Sequence, residues 1–176
     1  MKEKTISKRI IYKGKILALE KALVKLVNGK KATREVIRHN GAVAVIAIEK
    51  PDKLILIRQF RYPVGKTLFE IPAGRIDKNE APLDCIKREM KEETGYKLKN
   101  IIKLLDLYPC VGYSDELIHI YKAETGVKGK SKPEFDENIR ISKVRLPKAL
   151  EMVRKGKIKD SKTIIAILAL KTLLKS

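Results

Sequence analysis

The chain has 176 residues, 44% of them hydrophobic, which supplies one ordinary core and a small extension rather than two large domains. Lys and Arg number 40 against 21 Asp and Glu, a formal charge of +19, but aromatics make up only 5% and no nucleic-acid motif or stacking platform accompanies the charge, so nucleic acid is not an expected partner. Only two cysteines occur, Cys85 and Cys110, leaving no disulfide framework or CxxC metal site, and the longest apolar stretch, Ile164 to Leu170, falls far short of the about 20 residues that span a bilayer.

The first forty residues read as strands. Thr5 to Tyr12 is a mixed run, Ala22 to Val27 leads into the Asn28-Gly29 hairpin signal, and Ala32 to Arg38 returns. This predicts an antiparallel β extension over 1–40, ahead of a main domain over 41–176. Ala42–Ile48 and Leu54–Arg61 are apolar and β-branched, as central strands covered on both faces should be, with Pro51 and Asp52 turning between them. Ala81 to Thr94 predicts a helix, because Pro82 suits a first turn and Gly95 the left-handed residue just past a C-terminus; Leu83, Ile86 and Met90 form its expected buried stripe. Ile101–Leu107, Leu117–Lys122 and Ile139–Val144 are further strands. Lys128 to Pro133 reads as a flexible loop leading to the acids Glu134, Asp136 and Glu137. Two helices follow, Pro147–Arg154 and Ser161–Leu174, the second capped by a serine or aspartate at its start. The fold class is α/β, a mixed sheet between helices.

The chemistry concentrates between Gly74 and Tyr96. Gly74 is followed by Glu80, then Arg88-Glu89-Met90, Glu92-Glu93 and Gly95-Tyr96. On a helix, Glu89, Glu92 and Glu93 lie three and four apart, so their carboxylates converge within about one turn. A solvated face knitted by Arg88 with Glu92, or by Lys87, is the ordinary reading of an acidic helix, but it leaves the like-charged Glu89/Glu93 pair uncompensated. A hard divalent ion resolves that conflict, since Mg²⁺ prefers carboxylate oxygens and retains waters and phosphate oxygens elsewhere in its shell. A guanidinium at Arg88, beside these acids, would hold their geometry.

This string matches the Nudix box at every defined position. Arg58-Gln59-Phe60-Arg61-Tyr62-Pro63, Glu70-Ile71-Pro72-Ala73-Gly74, Gly112-Tyr113-Ser114-Asp115-Glu116 and the stretch Arg34 to Val45 resemble the ADP-ribose pyrophosphatase subfamily of Nudix hydrolases, over nearly the whole chain. One departure is that Val111, rather than proline, precedes Gly112; the proline here is Pro109. The resemblance implies a Nudix α/β/α sandwich that dimerises through its N-terminal sheet, and hydrolysis of ADP-ribose to AMP and ribose 5-phosphate with Mg²⁺ or Mn²⁺. It implies metal ligation by Glu89, Glu92, Glu93 and the Ala73 carbonyl, and an orienting role for Arg88. Arg61 would contact a phosphate, unless it is a surface strand arginine, and Glu116 would meet the terminal ribose or hold its loop. Arg34 and Glu35 would approach the adenine end from the partner subunit, unless they form a cross-strand charge pair. The general base would come from the acidic loop, with Glu137 fitting best and Glu134 and Asp136 open. Another nucleoside diphosphate derivative, such as a nucleotide sugar, is the alternative substrate; a basic nucleic-acid-binding protein on a Nudix scaffold is a third reading, which the intact glutamate set argues against.

The remaining features follow the same reading. His39 and His119 have no Ser, Cys or metal-spaced partner and read as structural. The lysines recur through strands, loops and the last helices, so the charge reads as a solvated surface of the kind common in heat-adapted proteins, and its field would steer a polyanionic substrate. Without a signal-peptide core at its N-terminus, the chain is expected to be soluble and cytoplasmic, with its thiols reduced.

Overall fold

The computed structural model describes residues 2–133, 135 and 137–173. Its contacts divide into two compact units, Met1–Gly41 with Tyr108–Leu117, and Ala42–Leu107 with Ile118–Ser176.

The first unit is the antiparallel sheet β1 (Lys4–Lys13), β2 (Ala18–Lys25) and β3 (Lys31–Arg38), in that order. Gly29 takes a left-handed φ of 82°, the conformation the hairpin turn demands of it. Segment 108–117, far away in sequence, belongs to this unit. It is tied to β3 where the Ile37 N–H donates to the Tyr113 carbonyl at 2.7 Å and the Asp115 N–H to the Ile37 carbonyl at 3.2 Å. Asp115 also accepts from Arg38 and from the His39 N–H, each at 2.9 Å.

The second unit contains β4 (Ala42–Glu49), β5 (Lys53–Arg61), β6 (Lys66–Glu70), β7 (Ala73–Arg75), α1 (Pro82–Thr94), β8 (Tyr96–Leu107), β9 (Ile118–Lys128), β10 (Arg140–Arg145), α2 (Leu146–Arg154) and α3 (Ser161–Leu173). The sheet order is β10-β5-β4-β9-β8, with β6 paired to β5 and β7 to β4. Among the described residues of this sheet only β4 and β9 pair in parallel, so the sheet is mixed, as expected. Alternate residues of its strands face opposite sides. One side, with Ala44, Ile46, Leu54, Leu56 and Ile120, packs on α2 and α3 through Ala149, Met152, Ala166 and Ile167. The other, with Val43, Val45, Ala47 and Ile55, packs on α1 through Cys85, Ile86 and Met90. This is the α/β/α sandwich.

Several local expectations change. Leu83 is 42% exposed, and the buried stripe of α1 is Cys85, Ile86, Met90, Glu93 and Thr94 instead. The short strands β6 and β7 have no clear sequence period, because three to five residues carry too little alternation to register. Loop 129–133 is pinned to α1: the Gly129 N–H donates to the Gly95 carbonyl at 2.8 Å and the Lys132 N–H to the Glu92 carbonyl at 2.9 Å. The cap of α3 is one of the two residue types expected there, Asp160, which accepts from the Thr163 N–H at 3.0 Å.

Candidate active site

Helix α1 starts where Ala81 is still extended and Pro82 opens the first turn, and it ends at Gly95 with φ 77°. Those two boundaries fix the rotation of the helix, and rotation decides which glutamate is buried. Glu93 is 3% exposed. The side chains of Glu89 and Glu92 are 15% and 40% exposed, so the three acids run from the interior to the surface.

Arg88 is the hub of the cluster. Its Nε and Nη2 donate to the two oxygens of Glu80 at 2.8 and 2.9 Å, and its Nη1 donates to Glu89 at 2.8 Å and Glu92 at 3.0 Å. Glu80 thereby acquires a definite role. The hydrogen bonds from Arg88 dominate over burial and hold its carboxyl at about 2, while the Asp77 N–H donates to it at 3.1 Å and closes the loop before the helix. Arg88 thus satisfies Glu89 and Glu92, and the expected uncompensated pair narrows to Glu93.

Glu93 has no basic partner within ion-pair distance among the described residues; the Ala73 N–H donates to its Oε2 at 3.3 Å. Burial pushes its carboxyl well above the ordinary carboxylate range, and the charges of Glu89 and Glu137 push it the same way. Burial also raises Glu89, Arg88 opposes this, and Glu92 and Glu137 add to the rise. Glu137 is therefore near enough to both to be felt by each. The Gln59 Nε2 lies 3.5 Å from the Glu137 Oε1, and the Gln59 Oε1 is buried with no hydrogen-bond partner among the described residues. Glu134 and Asp136 lie outside the described residues.

Gly74 explains itself at this site. A Cβ built on it would stand 1.9 Å from the Glu89 Cδ, so the Glu89 carboxylate occupies the space a side chain would fill. Arg61, by contrast, is engaged elsewhere: its Nε and Nη2 fork onto both oxygens of Glu70 at 2.8 Å each. Lys162 donates to Glu70 at 2.6 Å and to Asp160 at 2.9 Å, and the Thr163 hydroxyl accepts from the Ile71 N–H at 2.8 Å. The start of α3 is thereby fastened to the strand leading into the glutamate cluster. Burial of Glu70 pushes its carboxyl upward, yet Arg61 and Lys162 more than offset this and hold it at about 2. Glu70 and Gln59 were visible within the resembling runs but drew no role. A charged residue next to the apolar run Ile71-Pro72-Ala73 was the available signal of a buried ion pair.

The other expected residues lie in the first unit. Arg34 donates to the Glu3 carboxylate and the Thr33 carbonyl, and Glu35 stands opposite Lys21 in the β2/β3 register. The Glu116 N–H donates to the Ser114 Oγ at 3.1 Å, and its carboxylate lies 3.8 Å from the His39 Nδ1.

Among the described residues, no three His, Cys, Asp or Glu side chains close into a metal cage by themselves. That suits Mg²⁺, which takes one or two carboxylates and fills its octahedron with waters and substrate phosphate oxygens. A desolvated carboxylate surrounded by like charge and lacking a basic partner is the donor such an ion would relieve, so the residues present fit a hard divalent cation.

Comparison with known proteins is consistent with this geometry. Residues 38–166 match the NUDIX domain. The chain is 40% identical over 169 residues to the ADP-ribose pyrophosphatase of Bacillus subtilis (95% of this chain, 91% of that one), and 40% identical over 171 residues to the methanol dehydrogenase activator of Bacillus methanolicus (94% and 90%). It is 36% identical over 155 residues to a GDP-mannose pyrophosphatase of Escherichia coli, covering 78% and 81%. The crystal structure of an ADP compounds hydrolase shares the fold, with a TM-score of 0.89 over 99% of this chain and 95% of that one at 20% identity.

Proposed function

This chain belongs to the Nudix domain family, and we propose that it hydrolyses the diphosphate of ADP-ribose to AMP and ribose 5-phosphate with a divalent metal ion, Mg²⁺ or Mn²⁺. The observation that carries the reading is the buried Glu93 carboxylate, which has Glu89 and Glu137 as like-charged neighbours.

Glu89 and Glu93 would hold the metal directly, with Glu92 sharing an ion and the Ala73 carbonyl completing one shell. An extended residue turns its N–H and C=O to the same side, so the Ala73 carbonyl shares the space its N–H shares with Glu93. The bound cation supplies neutralisation of the diphosphate charge and a lowered pKa for water. Arg88 holds Glu89 and Glu92 through its Nη1, which reduces the reorganisation needed when substrate arrives. Glu137 takes the proton of the attacking water as the new O–P bond forms and the bridging P–O bond breaks, its electron pair leaving with the departing phosphate. Gln59 steers that carboxylate through its amide N–H. The third nitrogen of Arg61, Nη1, makes no hydrogen bond among the described residues and is the donor left for a substrate phosphate.

Glu116 would receive the terminal ribose, and Arg34 and Glu35 the adenine end from a partner subunit. A homodimer is supported by β1, an edge strand exposed along its whole length that presents Ile6, Ile10, Ile11 and Tyr12 at 47–60% exposure. Sedimentation that gives a fully active monomer would remove the dimer.

The GDP-mannose pyrophosphatase relative favours a second reading, hydrolysis of a nucleotide sugar. A panel of ADP-ribose, nucleotide sugars, dinucleoside polyphosphates and NADH with Mg²⁺, products separated by chromatography, tests both. ADP-ribose should give AMP with the highest kcat/KM. A higher value for a nucleotide sugar would transfer the assignment.

No helix among the described residues is long and apolar enough to cross a membrane. We further propose a cytoplasmic setting, which the low use of cysteine supports.

A further inference from the structure

Arg58 and Arg140 stand directly opposite one another in the antiparallel pairing of β5 with β10. Like charges so placed destabilise a sheet unless something neutralises them. Arg34, Arg38, Arg61, Arg88 and Arg145 each have a carboxylate partner. Among the described residues Arg58 and Arg140 have none, as is also true of Arg9, Arg75 and Arg154, but Arg58 and Arg140 face one another. The guanidinium of Arg58 is nevertheless held in place, 5.1 Å above the ring centroid of Phe69.

Both arginines line a cleft of about 310 Å³ together with Phe60, Thr67 and Asn138. Phe60 is 55% exposed, and Thr67 is its register partner on β6. Alternation along β5 puts Arg58 and Phe60 on the face shared by Leu54 and Leu56, whereas Gln59 and Arg61 take the face of Ile55 and α1. The cleft therefore opens on the opposite side of the strand from Gln59 and its neighbour Glu137.

Its chemistry is that of a small anion bearing a flat ring. Two guanidiniums offer forked donors matched to a phosphate, an exposed aromatic face offers stacking, and a hydroxyl and an amide can meet ring or sugar edges. The volume sits at the low end of small-molecule sites, about 300–1,000 Å³, which suits a mononucleotide better than a dinucleotide. We propose that this cleft binds a nucleoside monophosphate, its phosphate between Arg58 and Arg140 and its base on Phe60. The assignment stands on the cleft alone and does not require the hydrolytic reading.

Calorimetric titration of the full chain in EDTA with AMP, inorganic phosphate or adenosine tests it, because removing divalent ions silences nucleotide binding through the glutamates. AMP should bind one site per chain, about tenfold more tightly than phosphate or adenosine. The double variant Arg58→Gln/Arg140→Gln should lose at least about tenfold in AMP affinity, with its ligand-free melting temperature no lower than wild type, since the cross-strand repulsion is relieved, and its ADP-ribose turnover unchanged. Phe60→Ala, a milder change, should weaken AMP while leaving phosphate unaffected, and Glu93→Gln should alter neither. Absence of AMP binding, equal affinity for phosphate, AMP affinity that survives the double substitution, or AMP affinity lost in Glu93→Gln would each overturn the proposal.

Discussion

The Glu89 carboxylate lies across the α-carbon of Gly74, in the volume that any side chain at Gly74 would need. A glycine eight residues before the helix thus sets the position of a carboxylate in its third turn. Gly74→Ala must push Glu89 aside, away from the Arg88 Nη1 that fixes it at 2.8 Å. A misplacement of about 1 Å costs on the order of 10²-fold in rate. Steady-state kinetics on ADP-ribose should show that loss in kcat, with far-ultraviolet dichroism unchanged. Wild-type kcat in Gly74→Ala would mean that Glu89 has no part in catalysis.

Glu93→Gln removes the charge of a carboxylate that is 3% exposed. Turnover should fall by about 10²–10³-fold or more, the scale expected when a transition-state charge loses its stabiliser. The metal-free variant should melt no lower than wild type, since an ionised carboxylate without a basic partner no longer needs desolvating. Added Mg²⁺ should raise the melting temperature of wild type and not of the variant. Thermal scans with and without Mg²⁺ separate ligation from folding, and equal Mg²⁺ shifts in both proteins would remove Glu93 from the metal site.

Glu137→Gln should slow turnover by about 10²–10⁴-fold, the range for a positioned base, while the Mg²⁺ dependence stays near that of wild type. Gln59→Leu should produce a smaller loss of the same kind, because it removes only the amide that steers Glu137. The limb of the pH–rate profile that reports the base should disappear in Glu137→Gln. If that limb persists unchanged, the proton goes to another acid, with Glu134 and Asp136 the next to replace.

Glu70 makes stability depend on pH in a definite direction. Its folded-state pKa of about 2 lies below the ordinary 4.5, so its contribution is complete above about 4.5 and is lost as pH falls toward about 2. Acid unfolding followed by fluorescence or dichroism should show this loss in wild type and a flatter curve in Glu70→Gln. Arg61→Ala leaves the buried carboxylate with Lys162 alone and should cost about 1–3 kcal/mol at neutral pH, discounted because Arg61 is 39% exposed. Identical acid limbs in wild type and Glu70→Gln would show that the network adds nothing.

Local patterns in the sequence settled the helix over Ala81 to Thr94, its proline start and glycine stop, the Asn28-Gly29 hairpin and the apolar central strands. Helix spacing, caps and turns depend on residues within about four positions of one another, and such rules can be read along a string. The spacing of Glu89, Glu92 and Glu93 belongs to the same class. Which of the three is buried was decided only in the folded chain, where β7 and its Ala73 N–H come up against α1. The same holds for Arg61, whose partner Glu70, nine residues away, is shared with Lys162, 92 residues beyond Glu70. Gln59 meets Glu137 across 78 residues, and segment 108–117 joins β3 across more than seventy. Ion-pair choice, desolvation and strand pairing depend on what chain closure brings together, and no short window of sequence contains both partners.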